Sequence, residues 1–125
     1  MHHREQGGEG EGLVPFAAAL LDLHRATAAL TGPLVPPPAE LEALHGLVCA
    51  LLRLLYAHAE RARPLHEVAT PLRQARVRAW QLADLLHHTA HAAPAPFPAD
   101  EGMCRRHREA EHLMRRRTTP ADLRT

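Results

Sequence analysis

Four stretches of the chain repeat their apolar positions at helical spacing. In the first, Phe16, Leu20, Leu23 and Leu30 share one face, which predicts a helix from about Pro15 to Leu30. Thr31-Gly32-Pro33 ends it, with Gly32 suited to a C-cap and Pro33 barring continuation. The segment from Pro33 to Pro38 then reads as a stiff, extended connector. In the second stretch, Leu41, Leu44, Val48, Leu51, Leu52 and Leu55 recur, with Leu47 and Leu54 widening the arc. They predict a central helix from about Ala39 to Arg63, with His45, Cys49 and Tyr56 at the border of its apolar face and Pro64 as its stop.

The third stretch follows Val68, Leu72, Ala75, Ala79, Leu82 and Leu86, a spacing suited to near-antiparallel bundle packing. Thr70 and Pro71 read as its N-cap and first helical residue, about His91 as its end, and Trp80 as a core or interface anchor beside the stripe. After a Pro-rich linker, Asp100 is placed to cap a fourth helix from about Glu101 to Arg117. Met103, His107, Ala110, Leu113 and Met114 share one arc of that helix, and Thr119 with Asp122 has the spacing of a capping box. The expected fold is all-α: a single-domain bundle of about four antiparallel helices over residues 13–117. A disordered Gly/Glu-rich tail at 1–12 precedes it and a short tail at 118–125 follows.

Composition reinforces helix and removes several chemistries. The chain has no Ile, and its apolar content is mostly Leu and Ala, the strong helix formers. It also has no Lys, Asn or Ser, so a serine nucleophile, a Schiff-base or P-loop lysine and an N-glycosylation site are all excluded. Together the missing Lys, Asn and Ile match the codon bias of a very GC-rich genome. Cys49, Cys104 and a few threonines are the nucleophiles that remain, and no disulfide framework is expected. The short apolar run from Leu13 to Leu21 is broken by Pro15 and reads as helix rather than signal peptide. No uninterrupted apolar run reaches the ~18 residues that span a bilayer, so a reduced cytoplasmic protein without a membrane partner is expected.

Charge is uneven. Residues 103–125 hold seven arginines against Glu109, Glu111 and Asp122, although the chain as a whole is near neutral at +1. Arg105, Arg106, Arg108, Arg115, Arg116 and Arg117 therefore form a basic helix suited to an acidic partner, whether protein or nucleic acid. With only Phe16, Tyr56, Trp80 and Phe97 as aromatics, base stacking on a single strand is not expected. The function implied is a small non-enzymatic binding or regulatory module, with homodimerisation left open by the broad apolar face of the second helix.

Two other constellations carry chemistry. His45 with Cys49, and Cys104 with His107, each have helical ligand spacing; if the two helices are neighbours, the four residues would form a tetrahedral zinc site stapling the bundle. His112 points away from this arc. His87, His88 and His91 pose the same question: His87 and His91 are four apart and could chelate a metal, but with no carboxylate spaced to join them except Asp84 they read as a solvated helix end. Arg53 and His58 match the Arg-x4-His spacing of the helical HEPN ribonucleases. On an ideal helix, however, they stand about 140° apart.

Three blocks carry a family likeness: Thr31-Gly-Pro-Leu-Val with Glu40-Leu-Glu-Ala-Leu-His45, Trp80-Gln-Leu-Ala-Asp84, and Cys104-Arg-Arg-His107 through Arg117-Thr-Thr-Pro-Ala-Asp-Leu123. Through them the chain resembles a family of small uncharacterised proteins of Streptomyces and related actinobacteria, a domain of unknown function. The resemblance implies a bacterial cytosolic helical protein and brings no activity or site residue with it.

Overall fold

The periodic stretches fold as helices. The computed structural model describes residues 14–34, 36–92 and 101–123, and among these no strand occurs. We label the helices α1 (Val14–Ala28), α2 (Pro38–Arg61), α3 (His66–Ala92), α4 (Glu101–Arg117) and the single turn α5 (Pro120–Leu123). The chain is thus all-α, as its pattern predicts, while the expected N-terminal tail lies outside the described residues. The helices fall into two compact units that divide between Val35 and Pro36. In the first, α1 buries none of its residues and ends at Ala28, earlier than expected; Gly32, with a left-handed φ of 85°, lies in the bend beyond it rather than at its C-cap.

The second unit holds three long helices. Leu41 near the start of α2 clusters with Ala90 near the end of α3, while Arg76, earlier in α3, lies over the ring of Tyr56 near the end of α2. The two helices are therefore antiparallel, joined by the turn in which Leu65 N–H donates to the Ala62 carbonyl. Met103 at the start of α4 joins the Leu41–Ala90 cluster, and Thr118 just beyond its end hydrogen-bonds the Tyr56 hydroxyl at 3.2 Å. Hence α4 runs alongside α2 and against α3, packing on both, and α5 packs on α3.

Two registers differ from the expected ones. On α3 the buried row is Ala69, Arg76, Ala83 and Ala90 at seven-residue intervals, with Ala79 between; Val68 and Leu82 are exposed. Four of the six buried α3 residues are alanines, Arg76 and Val77 being the others, and Ala79 and Ala83 pack into the cluster of Val48, Cys49, Leu52 and Tyr56 on α2. On α2 the buried face is centred on Leu41, His45, Val48, Cys49, Leu52 and Tyr56, while Leu51 and Leu54 are exposed. The start of α3 also differs. Its first turn forms at His66, with Val68 and Ala69 N–H donating to the Leu65 carbonyl, so Pro71 lies inside the helix rather than at its first position. By length and composition α2 is long and apolar enough to cross a membrane. The face it presents to α3 and α4 includes the buried polar residue His45.

The Thr119–Asp122 capping box forms. Thr119 N–H donates to Asp122 Oδ2 at 3.1 Å, and Asp122 N–H returns a bond to Thr119 Oγ1 at 3.4 Å. The same carboxylate accepts from Arg73 Nε at 3.1 Å and faces Arg76 Nη2 at 3.5 Å, tying α5 to α3.

Candidate functional site

Histidine and cysteine side chains from all three long helices of the second unit meet at one end of the bundle. The i,i+4 spacing of α3 stacks His87 and His91 on one face, and α4 brings Cys104 up to them. His87 Nε2 and His91 Nε2 are 3.1 Å apart, and Cys104 Sγ lies 3.5 and 3.6 Å from them. Behind this group, the His107 ring stacks on His87 with centroids 4.1 Å apart and on Trp80 at 4.8 Å. His107 Nε2–H donates to Asp84 Oδ1 at 3.1 Å, and a hydrogen bond of 3.0 Å joins its Nδ1 to His45 Nε2.

Burial shapes the chemistry of these groups. His45 is pushed down to about 4 by burial first, then by His107, Arg106 and His87. His87 is likewise lowered to about 4 by burial and by His107, His91 and His88, with Asp84 opposing. Both imidazoles are therefore neutral at pH 7 and keep a lone pair. Burial raises the Cys49 thiol, with Arg106 and Arg53 opposing. A buried, protonated thiol is not an activated nucleophile.

The sequence-derived quartet of His45, Cys49, Cys104 and His107 is not a common donor set. His45 and His107 bond to each other, Cys49 Sγ sits 3.8 Å from the His45 ring nitrogens, and Cys104 turns to the α3 histidines instead. Among the described residues, the set that converges is His87, His91 and Cys104, whose ligand atoms all lie within 4.8 Å of one another. The His-x3-His spacing on α3 was the visible signal. Its third member could be found only once α3 and α4 were known to be neighbours.

The six arginines of the basic segment separate into three groups. Arg106 crosses α2 at Gly46, where a Cβ would meet its Nη1 at 3.0 Å, and its Nε is buried without a partner. Arg115 pairs with Glu111 at 2.7 Å and Arg117 with Glu60 at 3.5 Å. Arg105, Arg108 and Arg116 have no carboxylate partner among the described residues and, with His112, fall on one exposed stripe of α4. That stripe, together with Arg53 of α2, lines a groove of about 550 Å³. Glu109 is the acid in the groove wall, 3.7 Å from Arg53. A larger depression of about 800 Å³ lies toward α5, but Arg73, Arg76, Arg63 and Arg117 there face Asp122 or Glu60. Arg53 and His58, the Arg-x4-His pair, are both exposed on α2, and among the described residues Arg53 pairs with Glu109.

A family model described as "Family of unknown function (DUF6238)" matches residues 1–103. The matched span ends one residue before Cys104 and so leaves out nearly all of α4. No curated protein and no solved structure matches the chain.

Proposed function

We propose that this chain, which belongs to the DUF6238 family of unknown function, is a non-enzymatic binding module whose α4 groove takes the phosphate backbone of a nucleic acid. One observation carries the reading: Arg105, Arg108 and Arg116 line one groove with Arg53, and none of the three is neutralised by a carboxylate among the described residues. Guanidinium groups pair bidentately with phosphate oxygens, and α4 presents three of them over about three turns of one face. The Arg53–Glu109 pair is exposed at both ends and opposes an incoming anion only weakly. No Phe, Tyr or Trp lines the groove, and His112 is its one ring, so the contact is to backbone rather than to a row of stacked bases, and sequence preference is not expected. The two free cysteines fit a reducing cytoplasm, and the absence of Lys, Asn and Ile fits an actinobacterial source.

The test is fluorescence anisotropy of a labelled DNA or RNA duplex against the wild-type chain and the triple variant Arg105→Gln, Arg108→Gln, Arg116→Gln. The expected result is affinity about tenfold or more weaker in the triple variant, with Arg115→Gln close to wild type. Equal affinity in the triple variant contradicts the proposal. Binding of an acidic peptide but of no duplex would assign the groove to a protein partner instead.

A further inference from the structure

The His87–His91–Cys104 group is not part of the arginine groove, and it brings three metal-ligating atoms together within 4.8 Å of one another. The same three atoms contact one another pairwise, at 3.1, 3.5 and 3.6 Å. An imidazole Nε2 has a single in-plane direction, holding either a proton or a lone pair, and one direction makes one linear hydrogen bond. Here each Nε2 lies within reach of two partners at once, so at most two of the three contacts are linear hydrogen bonds, and the three atoms enclose a shared point.

The triangle has the size of a tetrahedral metal site. Metal–nitrogen and metal–sulfur lengths of about 2.05 and 2.3 Å give tetrahedral edges of about 3.3 Å for N···N and about 3.6 Å for N···S. The observed edges of 3.1, 3.5 and 3.6 Å match in both length and order. The donor chemistry matches as well, since two imidazoles and one thiolate suit a borderline-soft divalent ion better than a hard one. Helix α3 fixes two donors by its i,i+4 spacing, and the stacking of His107 on His87 holds one of those rings from behind. His107 is itself anchored to Asp84 and His45.

We propose that His87 Nε2, His91 Nε2 and Cys104 Sγ form a site for a divalent transition-metal ion of the zinc class, with water in the fourth position. The ion would join the end of α3 to the start of α4 across the Pro-rich segment at 93–100. On binding, Cys104 gives up its thiol proton to solvent and coordinates as thiolate. This assignment does not depend on the arginine groove.

Cobalt(II) titration of the reduced, metal-free full chain tests it. The expected result is a thiolate-to-cobalt charge-transfer band in the near ultraviolet with intense tetrahedral ligand-field bands in the visible. These should saturate at one ion per chain and be displaced by zinc. The charge-transfer band should vanish in Cys104→Ser and persist in Cys49→Ser. His2 and His3 carry no thiol and cannot produce it. His91→Ala, at an exposed position that leaves folding intact, should weaken cobalt affinity by more than the roughly 10–100-fold cost of losing an outer hydrogen-bond partner. The proposal is overturned by the absence of a thiolate band, by a band that survives Cys104→Ser, or by unchanged affinity in a folded His91→Ala protein.

Discussion

Asp122 is the residue on which the C-terminal turn depends. It is buried, caps its own turn through Thr119 and faces the guanidinium groups of Arg73 and Arg76. Burial alone would raise its carboxyl, but the Thr119 hydrogen bonds, Arg76 and Arg73 outweigh burial and hold it below the ordinary carboxylate range. A depressed folded-state pKa contributes stability above the unfolded value that is lost as pH falls through the folded one. Stability should therefore drop on acidification below the usual carboxylate range, and Asp122→Ala should flatten that limb. At neutral pH the variant leaves Arg76 buried without its acid, a loss of about 3 kcal/mol in urea unfolding. A variant as stable as wild type would show that α5 is not anchored in this way. Gly46 makes the opposite case. The atom an added Cβ would meet is the far end of the Arg106 side chain, which can swing aside. Helix propensity should then win, and Gly46→Ala should stabilise by about 0.5–1 kcal/mol; a lower melting temperature would mean that Arg106 is fixed in place.

Among the elements, α4 was the most legible in the sequence. Its bounds, its inner arc of Met103, His107 and Ala110, and the capping box that follows all stand as the pattern predicts. Register on α3 was less legible. Its apolar residues offer two neighbouring rows, and the reading from sequence favours the row with larger side chains. Packing selects the alanine row, because close approach to α2 rewards small residues at the contact line. This register makes a paired prediction. Ala83 is 0 % exposed and Leu82 is 47 % exposed. Ala83→Leu should overpack the α2–α3 contact and cost about 1–3 kcal/mol. Leu82→Ala should stay within about 0.5 kcal/mol by the same denaturant measurement. The reverse order would restore the row containing Leu82. Some helix ends follow local signals, as Pro64 does after α2, but the Thr70-Pro71 signal did not set the start of α3, and register depends on which neighbour a face meets.

At the scale of the whole molecule, α4 carries both proposed sites on different faces. Its start turns Cys104 toward α3, and its outer stripe presents Arg105, Arg108 and Arg116. The sequence shows six arginines as one basic segment. The i,i+4 spacing of Glu111 and Arg115 was readable there, but not the pairing of Glu60 with Arg117 or the way Gly46 lets Arg106 lie across α2. Nor could the sequence show Cys104 choosing the α3 histidines over Cys49, because that choice depends on how two helices separated by a linker come together. Folding thus narrows the electrostatic claim from six residues to three, and the narrower claim is quantitative. Each phosphate neutralised contributes a slope of roughly −0.9 to the dependence of log affinity on log salt for duplex DNA. The most direct test of the account is that slope, measured for the wild-type chain and for the Arg105, Arg108 and Arg116→Gln triple variant. The account predicts roughly −3 to −4 for wild type, counting Arg53, and a reduction in magnitude of about 3 in the variant. A slope near zero in wild type, or the same slope in both proteins, would contradict it.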